Sequence, residues 1–265
     1  MSWNAYLKYK SILQLPNHDW IEAFIRKVSV YDVLEFSIKF RISESGFVEN
    51  PERYSIWKYD FNPEVHSAFI HEGFQCFQDF VKDTKADVEF DNFRTKSMEL
   101  KEQDLRYFSF GTEISSDPDK TRLKTYAGYR SRIKPNYPFI IREELNLNGV
   151  HKSSKYDGYP TNDPRLPMIF PELSRTFETA PFIYCVYAET GRLHCKSYPE
   201  ASDSVLSWIE QRFHGNSSTI STLIAQGFQI EVVTIRRSEL IKNDLQSVTI
   251  YFRYGDWAKR PRSDS

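Results

Sequence analysis

The stretch VLEFSIKFRI, residues 33–42, alternates without a break. Leu34, Phe36, Ile38, Phe40 and Ile42 fall on one side of an extended chain, and Glu35, Ser37, Lys39 and Arg41 on the other, because successive side chains of a strand point to opposite faces. One side suits a core. The other is a row of charges and a hydroxyl. The same division recurs three times downstream. Leu123, Thr125, Ala127 and Tyr129 oppose Lys124, Tyr126, Gly128 and Arg130. Leu193, Cys195 and Ser197 oppose Arg192, His194, Lys196 and Tyr198. Val248, Ile250 and Phe252 oppose Thr249, Tyr251 and Arg253.

Around these strands the chain reads as hairpins alternating with helices. Residues 32–43 and 52–61 make a first pair of strands, joined by turn chemistry in GFVENP. Residues 106–115 and 121–131 make a second pair about the turn SDPDK, 181–189 and 192–198 a third, and 227–236 and 247–254 a fourth. Helices are expected over 5–14, 19–28, 63–83, 137–145 and 202–213. In the third of these, Pro63 stands at the start, and Val65, Phe69, Phe77, Phe80 and Val81 supply the buried stripe. The Pro-, Gly- and Asn-rich segment 148–180 reads as a long loop. Nothing resembling a Ser/Gly linker interrupts the chain, so one domain is expected over residues 1–265.

Bulk composition narrows the function. A formal net charge of −1 provides no global field for nucleic acid. The opening residues, broken by charge and by Pro16, do not make a signal peptide, and no apolar run approaches a membrane span. Three cysteines, Cys76, Cys185 and Cys195, without a paired spacing fit a reduced, cytoplasmic setting. His66, His71 and Cys76 have no metal-ligand spacing. The aromatic content is high, with Phe 20, Tyr 16 and Trp 5. Rings in that number line cavities and stabilise cations as well as filling cores.

Pattern alone favours an open antiparallel sheet with helices on one face and water on the other. Two features oppose that reading. The polar faces repeat Lys, Arg and Tyr rather than mixing in Asp, Glu, Thr and Asn, and bulky rings stand among them, Trp57 and Tyr59 beside Arg53 and Ser55. A sheet that closes turns such a face into a lumen. Cations and phenols in one lumen are donors for a diphosphate.

The segments LEFS (34–37), RLKTY (122–126) and HCKSY (194–198) resemble the ABBA-fold prenyltransferases. In that family a Leu-Glu-x-Ser strand holds the general base, and Lys-x-Tyr and Arg-x-Lys-x-Tyr strands bind prenyl diphosphate. Lys124-x-Tyr126 matches the first of these patterns. His194-x-Lys196-x-Tyr198 matches the second, with His in place of Arg. The stretch 110–138, the ending SVTIYFRY and the short chain are closer to the cyanobactin peptide prenyltransferases than to the fungal indole enzymes. The resemblance covers roughly 30–145 and 180–255. It implies an α+β fold, an antiparallel barrel with a polar lumen surrounded by helices.

It also implies a chemistry. Dimethylallyl diphosphate is the implied co-substrate, and the acceptor a Tyr, Trp or Arg side chain of a ribosomally made peptide. A small aromatic or indole acceptor is the alternative, and a non-catalytic barrel for an anionic ligand another. Arg53, Lys124, Tyr126, His194, Lys196 and Tyr198 would bind the diphosphate, and Glu35 would take the acceptor's proton. Trp57, Tyr59 and Tyr251 would shield the allyl cation. Glu113 and Glu231 would either orient a cationic acceptor or neutralise neighbouring cations. The Asp-rich motif of metal-dependent terpenoid enzymes does not occur, which leaves Mg2+ at most an accessory to the diphosphate.

Overall fold

The computed structural model describes residues 2–31, 33–43, 46–50, 52–100, 105–130, 138–160, 183–187, 192–196, 218–236, 239, 244 and 246–254. The chain divides into two compact units. The first comprises Met1–Tyr6, Leu15–Glu35 and Glu52–Tyr159, and the second Leu7–Gln14, Phe36–Pro51 and Pro160–Ser265. The described residues make an α+β fold in which every strand pairing is antiparallel.

The first unit is built on five consecutive strands: β3 (Arg53–Tyr59), β4 (Leu105–Glu113), β5 (Arg122–Arg130), β6 (Pro138–Asn146) and β7 (His151–Pro160). Each pairs with the next. Helices α2 (Asp19–Val28), α3 (Ser67–Val81) and α4 (Asp87–Met98) belong to the same unit. In α2 the residues Ile21, Phe24, Ile25 and Val28 are buried, the spacing of one helical stripe. Phe69, Phe74 and Phe77 of α3 meet Phe110 of β4 with ring centroids 5.3, 5.0 and 5.3 Å apart. Rings that large, buried from water, contribute about 1.5–3 kcal/mol each. Gly73 makes the approach possible, since a Cβ there would lie 2.2 Å from Phe110 Cε2. Trp20 and Phe80 stack at 3.6 Å between α2 and α3.

The second unit contains most of β1 (Val33–Ser43), with β2 (Gly46–Asn50), β8 (Ile183–Tyr187), β9 (Arg192–Lys196), β10 (Phe228–Arg236) and β11 (Ser247–Tyr254). The pairings run β8–β9–β10–β11–β1–β2. Its apolar side gathers Ile38, Phe40, Ile230, Val233, Val248, Ile250 and Phe252, all buried. Tyr9 of α1 (Ser2–Leu13) stacks on Phe36 at 4.4 Å. Ile220 and Leu223 of α5 (Ser218–Ala225) are buried as well.

Two strands carry one extra residue. In β4 the register passes from Leu105 opposite Tyr129 to Tyr107 opposite Gly128, so Arg106 has no counterpart in β5. In β10 it passes from Ile230 opposite Phe252 to Val232 opposite Tyr251, leaving Glu231 extra. These are β-bulges.

Three expectations are corrected. Residues 137–145 are not helical: REEL has helix-forming composition, but Pro138–Asn146 is β6, and its ladder with β5 satisfies the backbone. Tertiary pairing overrides propensity here. Within 148–180, His151–Pro160 is β7, turned back by Gly149 at φ +84, where a Cβ would lie 2.8 Å from the Lys85 carbonyl oxygen. GFVENP is largely β2 rather than a turn. In addition, the helix expected from Pro63 begins at Ser67 and leaves Val65 exposed, and α4 and α5 were not foreseen. The helix expected at 202–213 lies outside the described residues.

Candidate functional site

The ladders of the first unit set the polar face out in rows. Arg53, Glu113, Arg122 and Asn146 occupy one row. Ser55, Gly111, Lys124, Glu144 and Lys152 form the next. Trp57, Ser109, Tyr126, Arg142 and Ser154 follow. Tyr59, Tyr107, Gly128, Ile140 and Tyr156 come last. Charge is concentrated in the first two rows and aromatic rings in the last two.

The middle of the charged rows is shielded from water, while Arg122 and Lys152 at their margin are not. Arg53 is 8% exposed, Lys124 5%, Glu113 9% and Glu144 4%. Lys124 Nζ donates to Glu113 Oε2 at 2.6 Å, and Arg53 Nη2 lies 3.4 Å from the same oxygen. Glu144 is approached by Arg122 at 3.4 Å and by Arg142 at 3.8 Å. Burial raises the Glu113 pKa, but Lys124, Arg53 and Arg122 outweigh it and hold the carboxyl well below the usual carboxylate range. The Lys124 ammonium is pushed down by burial, with Glu113 opposing and Arg53 adding to the shift. Arg53, Arg122, Lys124 and Arg142 against Glu113 and Glu144 leave two formal positive charges (four minus two). An excess of that sign in a partly desolvated place suits a polyanion.

Next to the charges stand the rings. Trp57 lies 5.6 Å from Tyr126 at 28°, 6.5 Å from Tyr59 at 16° and 5.4 Å from Tyr107 edge-on. Trp57 Nε1 donates to Glu35 Oε1 at 3.0 Å, and Glu35 is buried. That hydrogen bond gives the carboxylate a fixed orientation. The Tyr107 and Tyr126 hydroxyls have raised pKa values, first from burial. They therefore stay protonated, as donors. The Ser109 hydroxyl, fully buried, has no hydrogen-bond partner among the described residues.

Six of the expected residues thus fall in the first unit with Glu35: Arg53, Trp57, Tyr59, Glu113, Lys124 and Tyr126. Their neighbours Tyr107, Arg142 and Glu144 were missed. Tyr107 has the parity of Ser109, Gly111 and Glu113, which could have found it. Arg142 and Glu144 were hidden by reading their segment as a helix.

In the second unit Lys39 is buried and Arg41 exposed. Glu231 is ion-paired with Arg253, and Tyr251 is half-buried opposite Ser37. The backbone register sets Lys196 opposite Val232 and His194 opposite Thr234. The His194 and Lys196 side chains, and all of Tyr198, lie outside the described residues. Among the described residues no group of three or more His, Cys, Asp or Glu could hold a metal ion. Glu113 and Glu144 are each engaged by cations, so the residues described do not fit a resident Mg2+.

No protein-family model matches the sequence, and no curated protein matches it. A solved structure does match: AnaPT from Neosartorya fischeri, an ABBA prenyltransferase. The likeness covers 96% of this chain and 94% of that one, with a TM-score of 0.50 and 8% sequence identity. The fold of this chain is similar to that of an ABBA prenyltransferase.

Proposed function

We propose that this chain is a prenyltransferase that moves a dimethylallyl group from its diphosphate to a nucleophilic Tyr, Trp or Arg side chain of a ribosomally made cyclic peptide. The observation that carries the reading is the desolvated run of Arg53, Lys124 and their carboxylate partners beside Trp57, Tyr59, Tyr107 and Tyr126. The fold likeness supports it. The closure of the strands into one barrel over residues 1–265 and a cytoplasmic location belong to the same proposal. Among the described residues no helix is long and apolar enough to cross a membrane.

In the reaction, the bond between the allylic carbon and the diphosphate oxygen breaks, and its electron pair leaves with the diphosphate. Arg53 and Lys124 stabilise that developing charge, with the Tyr126 hydroxyl as a neutral donor. By resemblance His194, Lys196 and Tyr198 belong to the same set. The faces of Trp57, Tyr59 and Tyr126 stabilise the allyl cation and exclude water, a role that the resemblance also gives Tyr251. The acceptor's nucleophile forms the new bond to carbon, and its proton passes to Glu35. Glu113 neutralises and positions Arg53 and Lys124, the second of its two expected roles, and the Glu231–Arg253 pair parallels it. Any Mg2+ would arrive on the diphosphate.

The test is incubation with dimethylallyl diphosphate and a panel of cyclic peptides bearing Tyr, Trp or Arg, read by mass spectrometry. Gain of one C5H8 unit on one peptide is the expected result. Transfer only to free indoles or phenols would move the acceptor to small metabolites. Donor binding without turnover, unaffected by Glu35→Gln, would leave a binding protein.

A further inference from the structure

The last row of the polar face contains one unusual contact. Tyr107 lies directly over Gly128, its partner across the ladder. A Cβ built on Gly128 would sit 2.0 Å from Tyr107 Cζ and 2.2 Å from Cε1. The bare backbone therefore lets the ring lie down on β5. Tyr107 is held there by Trp57 at 5.4 Å and by Tyr59 at 6.1 Å, both edge-on. The residue is half-buried.

Gly111, two rows away and beside Lys124, differs. A Cβ there would meet Ser55 Oγ at 3.1 Å, a tight contact that a small shift of the hydroxyl relieves, and Tyr126 Cε2 at an ordinary 3.5 Å. Along β4 the inward residues thus run from Gly111 through Ser109 to Tyr107, from no side chain to the largest. The face is shallow beside the cations and filled at the aromatic end.

We propose that Tyr107, lowered onto Gly128, is the stop that limits the prenyl chain to a single isoprenyl unit. The inference rests on the proposed function, with the diphosphate at Lys124 and Arg53. Lys124 and Gly128 are four residues apart, about 13 Å along the strand. A five-carbon group anchored at Lys124 extends over Tyr126 and Trp57. A second isoprenyl unit would reach the Tyr107 ring. How low that ring lies decides the space available, and Gly128 decides how low it lies.

Two substitutions move the stop in opposite directions. Tyr107→Ala removes it, and Gly128→Ala lifts it into the face. The experiment measures binding of dimethylallyl diphosphate, geranyl diphosphate and inorganic diphosphate to the full chain by calorimetry, with melting curves for each variant. In Tyr107→Ala the affinity for geranyl relative to dimethylallyl diphosphate should rise by about tenfold or more. In Gly128→Ala both prenyl donors should weaken while inorganic diphosphate holds. Tyr107→Phe keeps the ring and should leave the ratio unchanged. A ratio that moves less than about twofold in Tyr107→Ala, or prenyl-donor affinity that moves less than about twofold in Gly128→Ala, would overturn the inference alone. Parallel loss of inorganic diphosphate would overturn it too, by assigning Tyr107 to the charged rows. If Tyr107→Ala does not fold, Gly128→Ala decides the matter: undiminished affinity for both prenyl donors overturns the inference. Failure of the wild-type chain to bind any of the three would remove the proposed function, and this inference with it.

Discussion

The strands β3 to β6 present two faces made from alternate residues of the same segments. One carries Ile56, Phe108, Phe110, Leu123 and Leu145. The other carries Arg53, Glu113, Lys124, Glu144, Trp57 and Tyr126. The charged residues of the second are nearly as shielded from water as the phenylalanines of the first. The difference lies in what compensates burial. The apolar face gains from its own desolvation. The polar face loses by it and recovers through ion pairs, so its order depends on partners being present together.

That comparison can be broken first at Lys124. Lys124→Met leaves Glu113 buried with one fewer cation and should cost about 3–5 kcal/mol, with donor affinity lost. Adding Glu113→Gln should restore much of the stability and none of the affinity. Urea unfolding of the two variants and calorimetry with diphosphate test this. A cost for Lys124→Met near zero would mean that this face is effectively solvated.

On the other face, Phe110→Ala empties the space that Phe69, Phe74 and Phe77 surround. It should cost about 3–5 kcal/mol while leaving diphosphate affinity per folded molecule unchanged. Loss of affinity in proportion to stability would show that the two faces are not separable.

Acid should distinguish the faces more finely. The Glu113 carboxyl is held below its unfolded value, so its contribution is fully present above the ordinary carboxylate range and is lost as pH falls toward the folded value. Wild-type stability should therefore drop more steeply than that of Glu113→Gln below about pH 4 to 5. Urea midpoints across that interval give the two slopes, and equal slopes would remove Glu113 as a stabilising charge.

The smallest effect is expected at Trp57. Trp57→Phe keeps a ring but removes the hydrogen bond to Glu35. Turnover should fall by about tenfold, as for loss of a hydrogen bond to a charged group, with donor affinity nearly unchanged. Equal losses in both would place Trp57 in donor binding instead.

The two faces also differ in how far they could be read from sequence. Strict alternation made β1 and β5 legible, because each strand displays its two sides in its own letters. Pairing is not displayed in that way. Alternation gives Glu113 two possible roles and says nothing of its distances to Lys124 and Arg53, which pair it with those cations. Arg142 and Glu144 were lost to REEL, whose local preference is helical and whose strand state comes from β5. Parity places Tyr107 on the polar face, but the seat of its ring on Gly128 is a contact between separate strands, which neither segment displays alone.

The two bulges have a consequence for how such a chain can change its length. Within the regular part of β4, loss of one residue would exchange the two faces for everything on one side of the gap, turning phenylalanine to the polar face and charge to the helices. Arg106 is different: it has no counterpart, and its loss would leave Leu105 and Tyr107 opposite the partners they already have. Glu231 has the same status in β10, apart from its tie to Arg253. Related sequences should accordingly show single-residue gaps at these two points inside strands, where gaps are otherwise least tolerated.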